Sequence, residues 1–150
     1  CVLIDCCPML GVLSLSAIFA AERVLVPVSA DYLAVKGAMQ VDRTLNALSR
    51  VVGRRIERRY VITRFDGRRR MSWDILETFK ARFGADLAES RISENVSIAE
   101  SPFRERDVFA HAPASRGAAD YAALFEELEA TGFLGEAPGP VQREPLAAVA

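Results

Sequence analysis

The sequence has one histidine, His111, and three cysteines, Cys1, Cys6 and Cys7, in 150 residues. An odd count with an adjacent pair makes a poor disulfide framework, and the spacing is not that of a zinc site. The thiols read as small buried hydrophobes of a reducing compartment. His111 has no partner in the sequence and reads as a structural or exposed imidazole. No apolar run is long enough for a bilayer. The longest uncharged stretch, Cys6 to Ala21, has 16 residues, holds Pro8, Gly11, Ser14 and Ser16, and is closed by Glu22 and Arg23. A membrane span needs roughly 20 predominantly apolar residues. A signal peptide would need a basic start, and Asp5 stands there instead. These absences predict a cytoplasmic protein without membrane contact. Internal repeats are also missing.

What is present suits one domain with a buried core: 51% hydrophobic and 26% charged residues exclude a disordered chain. Cys1 already lies inside a strand-like run, which predicts that an N-terminal portion is missing. The net charge of -1 hides a segregation. Residues 1–42 carry two basic and four acidic residues, residues 43–70 ten arginines against Glu57 and Asp66, and residues 71–150 seven basic and fourteen acidic residues. So uneven a distribution predicts an electrostatic role for the middle segment.

Apolar periodicity alternates between strand and helix. Strands are expected at residues 1–5, 23–28, 59–63 and near 87–92, the first, second and third adjacent and parallel. Helices are expected from 10 to 21, from a Ser29 or Asp31 cap to Val52 before Gly53, from a Ser72 cap to Phe83 before Gly84, and over 114–131. Leu45, Leu48 and Phe79 should pack on the sheet. The last helix presents Ala118, Tyr121, Leu124, Phe125 and Leu128 on one face. Trp73, Phe65, Phe103, Phe109 and Phe133 read as core. The fold class is α/β: a three-layer parallel sheet with helices on both faces. The packed domain is expected over 1–131 and a disordered tail over 132–150.

In such sheets chemistry gathers at the carboxyl ends of the strands. Asp5 closes an apolar strand, the Walker B pattern, in which the acid holds Mg²⁺ directly or through water. A strand-end acid that caps the next helix has the same spacing. Thr63, Arg64 and Asp66 form a strand-end turn, and Asp66-Gly67 alone suffices to close a strand. Asn95 has the position of a helix N-cap. Arg54, Arg55, Arg58 and Arg59 precede one strand, and Arg68, Arg69 and Arg70 follow it. They outnumber local acids, which predicts phosphate-backbone contact rather than a solvated face.

The segment Val2-Leu3-Ile4-Asp5-Cys6-Cys7-Pro8-Met9-Leu10-Gly11 resembles the VLIDCPPSLG segment of the ParA/Soj/MinD family of deviant-Walker P-loop ATPases. The likeness continues in order through Ala21–Val28, Asp31–Gly37, Thr63–Arg68, Ile92–Pro102 and Ser115–Tyr121, and covers roughly residues 1–131. It implies the C-terminal part of a P-loop NTPase domain of the SIMIBI type. It implies Asp5 as the catalytic, Mg²⁺-side acid, the Pro8–Gly11 segment as the γ-phosphate switch, and Pro8, Thr63, Arg64, Asp66 and Asn95 near the nucleotide. It implies ATP and Mg²⁺ in the intact protein, an ATP-dependent homodimer, non-specific DNA binding and a ParB-like partner that stimulates hydrolysis.

The family's Gly-rich phosphate loop belongs before Asp5 and is not in the sequence. The chain alone is therefore expected not to bind ATP appreciably and to hydrolyse none. Cys7 replaces a usual proline, and Ser93 and Glu94 replace a usual Pro-Arg before Asn95. The alternative reading is a nucleotide-independent, Arg-rich module that binds DNA or protein.

Overall fold

The computed structural model describes residues 2–7 and 10–135. Its elements run α1 (Val12–Ala20), β1 (Arg23–Ser29), α2 (Tyr32–Val52), β2 (Glu57–Phe65), α3 (Arg70–Phe83), β3 (Leu87–Ser93), α4 (Val96–Glu100), α5 (Val108–His111) and α6 (Arg116–Ala130). Three strands form one sheet in the order β1-β2-β3, and both pairings are parallel. The β1–β2 ladder is regular from Arg23↔Glu57 to Ser29↔Thr63. The β2–β3 ladder slips twice, between Tyr60 and Ile62 and between Ile62 and Phe65.

Alternation along the strands sets the layers. Val26, Val28, Tyr60 and Ile62 bury against α2 and α3, together with Val35, Ala38, Leu76 and Phe79. Val61 points the other way and packs with Ala88, Ile92, Leu124, Leu128 and Phe133 under α6. A smaller cluster joins Ile18 of α1, Leu45 of α2 and Ile56. Helices thus cover both faces, as the apolar strand runs require. Leu25 and Pro27 of β1 remain exposed, since α6 covers the sheet at β3. Pro27 is tolerated because β1 is an edge strand.

Local chemistry explains most boundaries. Asp31 caps α2, accepting a hydrogen bond from the Ala34 amide at 2.8 Å. Gly53 ends that helix with φ 72, the left-handed region that costs glycine nothing. Ser115 caps α6 through the Ala118 amide at 3.1 Å. Other expectations fail. Val2–Ile4 form no strand and are exposed, because a buried parallel strand needs a hydrogen-bonded neighbour and two covered faces, and these residues have neither. Cys6 and Cys7 are exposed rather than buried. Ser72 is not a cap: α3 begins at Arg70, and Ser72 lies buried on its inner face.

Tyr121, Phe125, Phe103 and Phe109 are exposed, because α6 turns Leu124 and Leu128 to the sheet and the segment from α4 to α5 rides outside it. Trp73 is 45% exposed, edge-on to the buried Phe65 ring at 5.2 Å. The packed chain continues past residue 131, the expected start of the tail: Phe133 is buried against α6 and β3. The rest of that expected tail, residues 136–150, lies outside the described residues.

A charged group sits inside this core. Asp42 of α2 is only 5% exposed. It accepts hydrogen bonds from Tyr60 Oη at 3.2 Å and Asn46 Nδ2 at 3.3 Å. It pairs with Arg58 at 3.0 Å and Arg82 at 3.7 Å. Burial and the Asp42 charge push the Tyr60 hydroxyl far up, so it remains a donor. Arg58 also holds the Asn46 side-chain oxygen at 2.9 Å. Removing Asp42 strands a buried guanidinium. Asp42→Ala should cost about 3–5 kcal/mol and Tyr60→Phe about 1 kcal/mol in urea unfolding. An Asp42→Ala loss no larger than that of Tyr60→Phe would show that the pair is not structural.

The outer edge of β3 is closed by α6. Glu127 accepts from the Glu89 amide at 2.9 Å and the Ser90 amide at 2.7 Å, and Asp120 accepts from the Ser93 amide at 2.8 Å. Two consecutive amides reach one carboxylate because the ladder is irregular there. Burial disfavours the Glu127 anion, but the bonds from Ser90 and Glu89, with the charge of Arg59, hold its carboxyl below the ordinary value of 4.5. Its contribution is therefore present above that value and is lost as pH falls through the lower, folded one. Glu127→Gln should flatten the acid limb of the stability–pH curve; an unchanged acid limb would contradict this.

Candidate functional site

The strand ends at Ser29, Phe65 and Ser93 lie side by side along one sheet edge. Backbone bonds tie the loops that leave them: the Ala30 amide donates to Thr63 O at 2.9 Å and the Glu94 amide to Phe65 O at 3.1 Å. Asp31 opens α2 from this edge, its carboxyl held down first by the Ala34 amide, then by Ser29 and, more weakly, by Arg64. Arg64 itself pairs with Glu94 at 3.3 Å. A line of alternating charge, Asp31, Arg64, Glu94, thus crosses the ends of all three strands.

Arg64 has φ 52, an uncommon conformation for a residue with a side chain. It stands where the β2–β3 register shifts between Ile62 and Phe65. The bulge turns the Arg64 side chain out to solvent while Phe65 returns to the core. Next, Asp66 gathers the turn: its carboxylate accepts from the Arg68 amide at 3.0 Å and from Arg68 Nε at 3.0 Å, and lies 3.3 Å from Arg69 Nε. The Arg68 hydrogen bonds lower its pKa.

Asn95 caps α4 by accepting from the Ser97 amide at 2.8 Å. Asp66 and Asn95 line a cavity of about 920 Å³ that also touches Phe65, Trp73, Arg91 and Asp120. Thr63 and Arg64 stand at the same edge but do not line it. Gly117 of α6 permits this closeness: a Cβ there would meet Ile98 Cγ1 at 2.6 Å and Asn95 Cγ at 3.3 Å. Gly117→Ala should displace the Asn95 loop and cost about 1–3 kcal/mol in thermal or urea unfolding. Wild-type stability with an unshifted Asn95 amide resonance would rule this contact out.

Asp5 is exposed and, among the described residues, makes no hydrogen bond or ion pair. Pro8 lies outside the described residues. An octahedral Mg²⁺ needs several oxygen ligands, and no cluster of three or more His, Cys, Asp or Glu is poised for a metal among the described residues. A Mg²⁺ bound with a nucleotide takes one or two protein carboxylates and fills its other positions with water and phosphate oxygens.

The arginines divide into two populations. Arg68, Arg69 and Arg70 are 91%, 65% and 94% exposed, with only surface pairs to Asp66 and Asp74. At the other end of β2, Arg58 is 10% exposed and bound to Asp42, with Asp86 at 3.6 Å. Arg59 donates to Ala85 O at 3.0 Å and lies over the Phe133 ring. Arg55 binds both oxygens of Asp86 at 2.7 Å, and Arg54 donates to Ala21 O at 3.2 Å. Arg55 and Arg58 find acids distant in sequence, Asp42 of α2 and Asp86 in the turn after α3. Arg58 and Arg59 are structural side chains. The sequence reading missed Asp42, Asp120, Glu127 and Gly117. Only Asp42 carries a signal, a lone acid in the buried stripe Val35, Ala38, Asp42, Leu45.

A parallel sheet with helices on both faces and its polar groups gathered at the strand ends defines an α/β domain. Residues 1–57 match the AAA domain family. The chain is 35% identical over 130 residues to the chromosome-partitioning ATPase Soj of Thermus thermophilus, covering 86% of this chain and 52% of that protein. It is 30% identical over 132 residues to the sporulation initiation inhibitor protein Soj of Bacillus subtilis, covering 87% and 52%. It is 29% identical over 128 residues to the chromosome partitioning protein ParA of Myxococcus xanthus, covering 85% and 45%. Over most of its length the chain is thus similar to ATPases and partition proteins of the ParA/Soj kind. It spans about half the length of the curated relatives it matches. Among the described residues no helix is long and apolar enough to cross a membrane.

Proposed function

We propose that this chain is part of a ParA-like ATPase that moves plasmid or chromosome DNA. The observation that carries this reading is its similarity, over most of its length, to proteins named for chromosome partitioning. In the intact protein ATP and Mg²⁺ would be held at the carboxyl edge of the sheet. Asp5 would be the acid on the metal side, and the Pro8–Gly11 segment would respond to the γ-phosphate. Thr63, Arg64, Asp66 and Asn95 would flank the nucleotide. ATP would bring two copies together, the dimer would bind DNA without regard to sequence, and a ParB-like protein would trigger hydrolysis and release.

Arg68, Arg69 and Arg70 are the DNA-binding residues this reading favours. Their guanidinium forks match phosphate oxygens, and their side chains are 91%, 65% and 94% exposed. Arg54 and Arg55 are exposed but lie before the amino end of β2, and Arg58 and Arg59 are held by acids and carbonyls.

A salt titration of duplex-DNA binding by the full-length protein with ATP tests the proposal. Arg68→Glu/Arg69→Glu/Arg70→Glu should weaken binding equally for unrelated sequences. It should also flatten the log–log salt slope by roughly 0.9 for each phosphate that is no longer neutralised. Asp5→Ala should abolish ATP hydrolysis in the same protein while its unfolding curve is unchanged. Binding that needs no ATP would favour the nucleotide-independent module, and an unchanged slope in the triple variant would remove DNA binding from these residues.

A further inference from the structure

At the amino end of β2, away from the strand-end site, an open groove of about 540 Å³ is lined by Asn46, Ser49, Arg50, Arg54, Arg55 and Arg58. We propose that this groove binds a phosphate group. Its charge is not balanced by the protein. Arg55, Arg58 and Arg82 share two carboxylates, Asp42 and Asp86. Arg50 makes no hydrogen bond or ion pair among the described residues, and the hydrogen bond of Arg54 goes to a carbonyl, Ala21 O. Five guanidiniums therefore stand against two anions.

Arg58 adds an independent observation. Its side chain is 10% exposed, yet Nε and Nη1 are buried without a hydrogen-bond partner. Asp86 lies 3.6 Å from that Nε, beyond hydrogen-bond reach. A desolvated guanidinium with unmet donors is costly unless further negative charge compensates it. An anion held by Arg50 and Arg54 at the mouth of the groove would supply that charge.

The class of anion follows from geometry. A planar carboxylate accepts within one plane, as Asp86 does from Arg55 Nη2, which bridges both of its oxygens. A tetrahedral phosphate presents oxygens in several directions and accepts from several forks at once. The surplus of positive charge favours a group with more than one negative charge. The neutral lining is polar as well, with Asn46 and Ser49 in place of apolar side chains.

The test is calorimetric titration of the 150-residue chain with inorganic pyrophosphate at low salt. Wild type should bind saturably. Arg50→Ala/Arg54→Ala removes two exposed side chains and should weaken binding at least about tenfold, the equivalent of losing roughly 1.4 kcal/mol, with an unchanged unfolding midpoint in the absence of pyrophosphate. Arg104→Ala/Arg106→Ala removes the same charge from the exposed segment after α4 and should bind as wild type does. A second titration in the presence of duplex DNA identifies the source of the phosphate: displacement of pyrophosphate assigns the groove to a nucleic-acid backbone, and simultaneous binding assigns it to a free phosphate compound. No saturable binding, or equal losses in the two double variants, overturns the proposal.

Discussion

The carboxylate of Asp42 is the constraint on which the arrangement of the sheet and its inner helices depends. It projects from α2 and meets Tyr60 and Arg58 of β2 and Arg82 of α3, so one buried charge joins three elements. Tyr60 is fully buried and stacks on Phe83 at 3.9 Å, with Phe79 edge-on at 6.4 Å. An aromatic in that position tolerates no unpaired hydroxyl, and Asp42 is the group that satisfies it. A buried ion pair contributes little net stability against a well-packed apolar alternative, but it discriminates strongly against arrangements that break it. Sliding α2 by one turn along β1 would separate Asp42 from both Arg58 and Tyr60. The network thus sets the position of α2, and with it the place where Asp31 opens that helix at the opposite, carboxyl edge.

Two groups of arginines flank one strand, and desolvation decides what each can do. At the amino end Arg58 and Arg59 surrender their hydration to acids, carbonyls and the Phe133 ring, and cannot leave without stranding those partners. At the carboxyl end Arg68 and Arg70 keep more than nine-tenths of their side chains in water. Arg68 forks onto Asp66 at 3.0 and 3.2 Å and Arg70 lies 3.9 Å from Asp74, contacts that a phosphate oxygen can replace. A count of nearby acids in the sequence cannot separate these cases, because Asp42 and Asp86 reach Arg55 and Arg58 only through the fold.

The parts of the fold that were legible in the sequence are those fixed by local chemistry. Continuous apolar runs located β1 and β2, and Asp31, Gly53 and Asn95 marked helix ends, while the Ser115 cap was not anticipated. The parts that misled depend on what lies across the sheet. Val2–Ile4 has the composition of a buried strand but no neighbouring strand among the described residues. Phe125 and Tyr121 share an apparent apolar face with Leu124 and Leu128, yet the helix leans on β3 through the latter pair. The strand-end turn at Thr63–Asp66 was found from its position, whereas the bulge at Arg64 was not, since nothing in an arginine announces a positive φ. Asp120 and Glu127 look like ordinary surface acids until β3 places three free amides opposite them.

Those three amides explain why the carboxyl edge can be stiff at the margin of a three-stranded sheet. An edge strand with open amides invites pairing with another chain. Here α6 occupies the amides of Glu89, Ser90 and Ser93, and the same helix presses its Gly117 backbone against Asn95 and Ile98. One helix therefore both ends the sheet and positions the loop after β3. On the opposite side the Ala30 amide ties β1 to Thr63, and the Glu94 amide ties β2 to the β3 loop. The bulged Arg64 lies between these two ties, its backbone held in a conformation that costs of order 1–3 kcal/mol unless its surroundings impose it. The surroundings that impose it are the ladder on either side and the return of Phe65 to the core. Because that strain is borne by the scaffold rather than by a flexible loop, the charges of Asp31, Arg64 and Glu94 keep a fixed order across the strand ends, the condition a polar ligand at this edge would need.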